Sequence, residues 1–412
     1  MSGSANYQGR SLIVDGFAVN RTCRNVYGDQ RVARRLVDSL TPEKKVTVVR
    51  TGDSRGVDQT TERNFQQYGF GIPWAGCGRG IGPLAGGGAP WTVSVYDPST
   101  APVAIPNEVY LGRITPGTMW RVLFANGAFP GGSNDRFFGS AELFSPAIHL
   151  AQAPQMIGRP AKASLFVRKD ASGVTGADYR IWVRNGAQYV RIHQTAFTTV
   201  SAVPETVRID VDVPSWDYSA QTIYCEGGGW GPTIAGETIN ITGFLYESDI
   251  GVTDYNLCVG GRTTASYQND DMFSPALWSE FIRLLSGEIV LWMSLGTNDG
   301  GRTRAEVEAF KSRTLAIIAE FHNEFPGNYV VLDTAYEAGG EMGMVTARRR
   351  AYIEIAQSTP GVMCIDCYAE LGCYGSLLLG GFYTAGDSVH GNALGRQLYA
   401  AIRSDMVARY AQ

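Results

Sequence analysis

Two textures alternate along this chain, and their order limits the folds open to it. Residues 46–50, Val-Thr-Val-Val-Arg, read as a short buried strand ending at a Gly-Asp-Ser turn. After residue 250, strand and helix patterns take turns. Strands are expected near 254–258, 288–295, 328–333 and 361–366. Between them Val307, Phe310, Thr314, Ile317 and Phe321 recur at three- and four-residue spacing, as one face of a helix does. Leu394, Leu398, Ile402 and Met406 repeat the pattern in the last helix. Short apolar strands alternating with amphipathic helices argue for a parallel sheet covered on both faces.

Residues 90–247 differ. Val207, Ile209 and Val211 alternate with Arg208, Asp210 and Asp212, and Tyr179, Ile181 and Val183 with Arg180, Trp182 and Arg184. Similar runs occur at 91–96, 119–124, 163–168 and 237–246, separated by Gly, Pro, Asn and Ser. Period-two alternation without a three-turn helix predicts an antiparallel β-sandwich or jelly roll. It is read as an insertion, because the α/β texture begins before it and resumes after it. The expected organisation is an N-terminal extension over 1–44 with one helical piece near 30–40, an α/β domain in two parts over 45–89 and 248–412, and the inserted domain over 90–247.

Composition narrows the function classes. The 412 residues are 44% apolar and 18% charged, which is globular, and the net charge of −4 leaves no electrostatic footprint for nucleic acid. No apolar run approaches a membrane span, and the polar start Met1-Ser2-Gly3-Ser4-Ala5-Asn6 encodes no secretory signal. Seven cysteines imply no disulfide framework. Cys364 and Cys367 are expected on one strand, where their spacing points them to opposite faces, so no metal site is expected.

Three short stretches carry the chemistry: Thr51-Gly52-Asp53-Ser54, Gly296-Thr297-Asn298-Asp299 and Asp387-Ser388-Val389-His390. Together they supply a hydroxyl, a side-chain amide, and a carboxylate three residues before an imidazole. These are the parts for attack on an ester carbonyl: nucleophile, oxyanion donor, orienting acid and general base. Gly-Asp-Ser occurs twice, at 52–54 and 386–388, so at least one copy is not a nucleophile site. Among four histidines only His390 stands three residues after an aspartate. His149 has no nearby carboxylate in sequence, His193 lies in an alternating run, and His322 ends a helix, where a cation is favourable. Ser54 follows the first strand, Gly260-Gly261 the second and Asn298 the third, so all arrive at one edge of a parallel sheet, where ligands bind.

These blocks resemble the SGNH (GDSL-type) hydrolases: Gly-Asp-Ser, a later glycine, Gly-x-Asn-Asp and Asp-x-x-His, in order, over 45–56 and roughly 250–410. The resemblance implies a flavodoxin-like doubly wound sheet. It implies that Ser54 is the nucleophile, His390 the base and Asp387 its orienting acid. The oxyanion donors would be the backbone N–H groups of Ser54 and Gly261 and the Asn298 amide. Ser388 then belongs to the Asp-x-x-His block, and neither metal nor organic cofactor is needed. Two positions depart from the family pattern. Arg55 stands where an apolar residue is usual, which points either to a polar substrate near the nucleophile or to a surface salt bridge. The second block reads Cys258-Val259-Gly260-Gly261, which keeps the donor glycine.

SGNH enzymes with a carbohydrate-module-like sandwich inserted at this point are similar to this chain. Some are carbohydrate esterases, and others are phage tailspikes that deacetylate bacterial surface polysaccharide. The partner implied is therefore an acylated carbohydrate or polysaccharide, with no nucleic acid and no membrane, and a tailspike would be a homotrimer. The stretch Trp74–Pro83 looks like the loop such enzymes carry before the insertion. The polar start fits a virion component released by lysis; it also fits a cytoplasmic enzyme or a chain already relieved of a leader. Trp182 is the candidate for stacking on a sugar, against the alternative that it fills a domain interface. Two other readings stay open: a non-catalytic binding or structural virion protein on the same fold, and a lipid esterase.

Overall fold

The structure is a computed structural model. It describes residues 12–14, 17–19, 25–38, 45–53, 55, 76–80, 94–95, 103–104, 111–113, 120–123, 136–140, 162–169, 171, 177–185, 188–198, 200–203, 205–212, 222–229, 238–247, 251–256, 258, 261–269, 282–285, 287–334, 336–340, 343–383, 386–392, 394–395, 398–399, 402–403 and 406–407. The chain divides into two compact units, Met1–Trp74 with Ile250–Gln412, and Ala75–Asp249.

In the first unit, strand β1 (Val26–Gly28) and helix α1 (Arg31–Asp38) precede β2 (Lys45–Gly52). The chain returns as β3 (Gly251–Asn256), α2 (Thr264–Asn269), β4 (Glu288–Ser294) and α3 (Arg304–Glu324). It ends with β5 (Tyr329–Asp333), α4 (Met344–Ser358), β6 (Val362–Ile365), α5 (Cys367–Leu371), α6 (Tyr374–Leu379) and helical residues among 394–407. Strands run parallel in the order β3-β2-β4-β5-β6, and β1 closes the edge antiparallel to β6. Numbering only the parallel strands along the chain gives 2-1-3-4-5, the flavodoxin-type order. Its switch point lies between β2 and β4, where the connections leave in opposite directions. The Gly52 and Ser294 ends of these strands, which pair with each other, therefore mark the place where a ligand crevice opens.

The strands are apolar on both faces because both are covered. Val46, Val48, Val290, Trp292, Val331, Met363 and Ile365 pack with Val32 and Leu36 of α1 and with Tyr399, Ile402 and Met406 near the end of the chain. The alternate positions Val49, Leu291, Val330, Leu332 and Cys364 are also buried and, by the strand period, face the other way. Helix α4 packs on β5, β6 and α3, with the Phe310 and Tyr352 rings 5.1 Å apart. Helix α3 begins where it does because Thr303 and Glu306 form a capping box. Thr303 Oγ1 accepts the Glu306 N–H at 3.2 Å, and Glu306 Oε2 accepts the Thr303 N–H at 2.9 Å.

Two sequence expectations change here. Residues 25–38 are not an appendage. Met363, Cys364 and Ile365 pair with Gly28, Tyr27 and Val26, and the Asn25 amide donates to Glu370 at 2.6 Å. Cys364 and Cys367 do not share a strand: β6 ends at Ile365, and Cys367 begins α5 behind the N-cap Asp366. Both thiols are buried and free, and burial pushes their pKa values well up.

In the second unit the described elements are strands. One antiparallel set runs Glu205–Asp212, Lys162–Lys169, Thr238–Glu247, Gly76–Gly80, with Trp120–Leu123 also pairing with Thr238–Glu247 and with Leu111–Arg113. The other runs Arg136–Ser140, Thr222–Gly229, Ala177–Asn185, Gln188–Phe197. The glycine-rich residues Gly76–Gly80, expected as a loop, form a strand against Gly243–Glu247, so the strand-rich unit starts at Ala75, ahead of position 90. The register between Ala177–Asn185 and Gln188–Phe197 skips Ile192, a bulge that interrupts the alternation around His193.

The α/β unit is tied together by a buried charge. Asp333, the last residue of β5, pairs with Arg403, and both are almost fully buried. Asp333 Oδ2 also accepts from Trp292 Nε1 at 3.1 Å, Ser294 Oγ at 2.9 Å and Tyr399 OH at 3.1 Å. Arg403 lies over the Tyr399 ring at 3.7 Å and donates to Ser294 Oγ at 3.0 Å. Removing one partner strands a buried charge, which costs roughly 3–5 kcal/mol. Arg403→Met is expected to lose about that much stability, read as a lower urea midpoint at unchanged m-value. A midpoint equal to wild type would show that the pair is not an anchor.

Candidate active site

The candidate site residues lie in the loops that follow β2, β3 and β4 and in the Asp387–His390 loop. The end of β2 is clamped by a side chain from α2. Tyr267 OH accepts the Gly52 N–H at 3.1 Å and donates to the Gly52 carbonyl at 2.9 Å. Burial pushes the Tyr267 pKa well up, so the hydroxyl keeps the proton this second bond needs. A side chain at Gly52 would meet Cys258 Sγ at 2.9 Å and the Ser294 carbonyl at 3.1 Å, so the strand ends approach too closely for any residue but glycine. Beyond it Asp53 is buried, and its Oδ1 accepts the Arg55 N–H at 3.0 Å. Ser54 itself lies outside the described residues, with both its neighbours held.

The glycine of the second block adopts φ +76°, a left-handed conformation suited to glycine, in open space. Next to it the Arg262 carbonyl accepts from Asn298 Nδ2 at 3.1 Å. This bond joins the second and third blocks, as their arrival at one sheet edge predicts. Asn298 is exposed, and its amide has two N–H donors, of which Arg262 takes one. Asp299, beside it, is not free to act. Its carboxylate accepts the Thr264 N–H at 3.0 and 3.1 Å and the Thr264 hydroxyl at 2.6 Å, while burial pushes its pKa up. Arg348 Nη1 holds the Asp299 carbonyl at 2.6 Å.

The fourth block forms the expected pair. His390 Nδ1 lies 2.8 Å from Asp387 Oδ2, and Asp387 Oδ1 accepts the backbone N–H groups of Val389 at 2.8 Å and His390 at 3.0 Å. These N–H groups, His390 first, and then the imidazole hold the Asp387 pKa down at about 2, below its ordinary 3.8. A depressed carboxyl pKa means that this support is complete above about pH 4 and fades only as pH falls through about 2. In the tautomer whose Nδ1–H donates to the Asp387 carboxylate, Nε2 is the imidazole's acceptor. Ser388 is exposed, and its carbonyl accepts the Gly339 N–H at 2.7 Å.

The remaining sequence candidates fall differently. Arg55, expected either beside a polar substrate or in a surface salt bridge, is 6% exposed. Its guanidinium donates to the Tyr336 carbonyl and stacks 4.6 Å from that ring's centroid, so it is a core contact. His322, expected as a helix-end cation, is half-buried, and burial pushes its pKa down toward the neutral form. His193 has its backbone in the strand Gln188–Phe197, and His149 lies outside the described residues. Trp182 is placed by backbone only, in Ala177–Asn185 opposite Arg191 and Tyr224. Tyr267, Thr264, Tyr336 and Arg348, which hold the loops, carry no motif signal in the sequence.

No protein-family model matches the chain, and no curated protein matches it in sequence. Among solved structures, a peptidoglycan O-acetylesterase aligns over 93% of this chain and 98% of its own, at 12% identity and a TM-score of 0.54. That likeness shows a shared fold. A family two carbohydrate esterase from Cellvibrio japonicus aligns over 71% of this chain and 96% of its own, at 8% identity and a TM-score of 0.31. A salicylyl-acyltransferase from a tetracycline biosynthetic pathway covers 69% of this chain and 95% of its own, at 12% identity and a TM-score of 0.28.

The Tyr267 clamp generates a prediction. Tyr267→Phe leaves a buried N–H and a buried carbonyl at Gly52 unmatched, at about 1–3 kcal/mol. Thermal or urea unfolding should show that loss. A variant as stable as wild type would show that the hydroxyl does not hold the strand end.

Proposed function

We propose that this chain is a serine esterase that removes O-acyl groups, above all O-acetyl, from a carbohydrate. The observation that carries the proposal is the Asp387–His390 pair, in which a carboxylate occupies Nδ1 and leaves Nε2 as acceptor. Support comes from the bond between the Asn298 and Arg262 loops and from the fold shared with a peptidoglycan O-acetylesterase. In the tailspike form of this proposal the carbohydrate is a bacterial surface polysaccharide. That setting rests on the sequence resemblance. The unit Ala75–Asp249 would then engage the polymer, with Trp182 as its candidate stacking residue.

The mechanism follows from the roles. Ser54 Oγ attacks the acyl carbon while His390 Nε2 takes the hydroxyl proton. The carbonyl π electrons move to oxygen, and the tetrahedral oxyanion is met by the N–H groups of Ser54 and Gly261 and by the N–H of Asn298 not used by Arg262. Collapse breaks the bond to the sugar oxygen, which leaves with the proton from His390. Water, deprotonated by His390, then attacks the acyl-enzyme and releases the acid and Ser54. Asp387 orients the imidazole and stabilises its protonated form.

Ser54→Ala should abolish release of acetate from acetylated polysaccharide and p-nitrophenol from its acetate ester, while Ser388→Ala keeps most activity. A dead Ser388→Ala beside an active Ser54→Ala would reverse the assignment. Asn298→Ala should lower kcat about a hundredfold or more with little change in KM, because an oxyanion donor strengthens its bond in the transition state. Wild-type kcat in that variant would remove Asn298 from the site.

A further inference from the structure

Ser54 and His390 come from distant parts of the chain, and one tyrosine touches the residue that follows each. Tyr336, just beyond β5, is 6% exposed. Its ring carries the Arg55 guanidinium on one face, and its backbone carbonyl accepts from Arg55 Nη1. Its hydroxyl accepts the Gly391 N–H at 3.1 Å. The ring is walled by Tyr399, edge-on at 5.0 Å, and Tyr383, edge-on at 6.0 Å. Tyr383 in turn bridges Gly391 and donates to the Glu337 carbonyl. Tyr336 is thus held on all these sides, and it links residue 55 to residue 391 through side-chain atoms.

Resting on the esterase reading, we propose that Arg55 and Tyr336 are positioning residues that set the separation between the Ser54 hydroxyl and the His390 imidazole. Asp387 and His390 form their pair within one loop, so nothing in that pair sets where the imidazole stands relative to the Ser54 turn. The Arg55–Tyr336–Gly391 link supplies that registration. It makes chemical sense of an arginine after the serine: the planar guanidinium covers the ring and holds the same residue's carbonyl, and a lysine lacks this fork. A misplacement of about 1 Å between reacting groups costs on the order of a hundredfold in rate.

The test compares wild type with Tyr336→Phe, Arg55→Met and Arg55→Lys on p-nitrophenyl acetate. Active sites are counted with a fluorophosphonate, which phosphonylates the serine oxygen with loss of fluoride. Tyr336→Phe keeps the ring and removes the hydroxyl that accepts the Gly391 N–H. Per titrated site, kcat should fall about ten- to a hundredfold in Tyr336→Phe and Arg55→Met, with KM within about twofold. The rate of fluorophosphonate labelling should fall in parallel, since it too needs His390 to take the serine proton. Arg55→Lys should recover part of the loss, and Tyr336→Phe with Arg55→Met should fall little further than the worse single variant. Wild-type kcat per site with a lower melting temperature would mean that the residues only support the fold, and would overturn the proposal. If Arg55→Met does not fold, Tyr336→Phe alone decides. A wild-type protein inert to both reagents would overturn the esterase reading and this inference with it.

Discussion

A carboxylate buried at the end of β5 sets the reference point for the loops. Taking Asp333 out of water costs several kcal/mol unless it is paired and hydrogen-bonded. The chain meets that demand with donors from two separate parts of the sequence. Trp292 and Ser294 come from β4, and Tyr399 and Arg403 come from the helical residues after the His390 loop. The loop bearing Asn298 leaves from the end of β4, the segment bearing Tyr336 leaves from Asp333 itself, and the His390 loop runs into the segment carrying Tyr399. One ion therefore fixes the roots of three site loops to a common point. Tyr399 serves twice, donating to Asp333 and placing its edge against Tyr336.

Above that anchor the loops are held by side chains reaching from one loop to another's backbone. Tyr267 holds Gly52, Asn298 holds the Arg262 carbonyl, Arg348 holds the Asp299 carbonyl, and Thr264 meets the Asp299 carboxylate with two donors. Backbone groups at strand ends lack ladder partners, and leaving them buried without bonds is costly. The same bonds that satisfy them also fix these loops relative to one another. Asp299 shows why a motif residue need not be a chemical one: its carboxylate is occupied in tying the third block to α2.

What could be read from the sequence was what short-range spacing encodes. The strands after residue 250, the α3 face from Val307 to Phe321 and the Asp-x-x-His pairing are local patterns, and the structure has them at those places. What depended on distant partners was misread. Arg55 was read as a substrate contact or a surface salt bridge because its partner Tyr336 is 281 positions away. Gly76–Gly80 looked like a loop because glycines show no alternation, and only Gly243–Glu247 makes them a strand. Val26–Gly28 is too short for any periodicity, and its place at the sheet edge is set by β6. His322 does lie in the last turn of α3, but burial, which no local pattern announces, pushes its pKa down.

The separation of the first two blocks looks like a severe demand on the fold and is a mild one. β2 and β3 are neighbours, and the whole unit Ala75–Asp249 lies in the chain between them. Loop-closure entropy grows only with the logarithm of length, about 0.6 kcal/mol for each doubling. A long connection is therefore tolerated once the two strands pair along Lys45–Arg50 and Gly251–Asn256. Pairing aligns the strands but does not place the turn beyond Gly52 relative to the turn beyond Asn256. That task falls to Tyr267, 215 positions from Gly52, which binds both polar groups of that one glycine. The length of chain between β2 and β3 is thus a small cost beside the contacts that hold the ends of these strands.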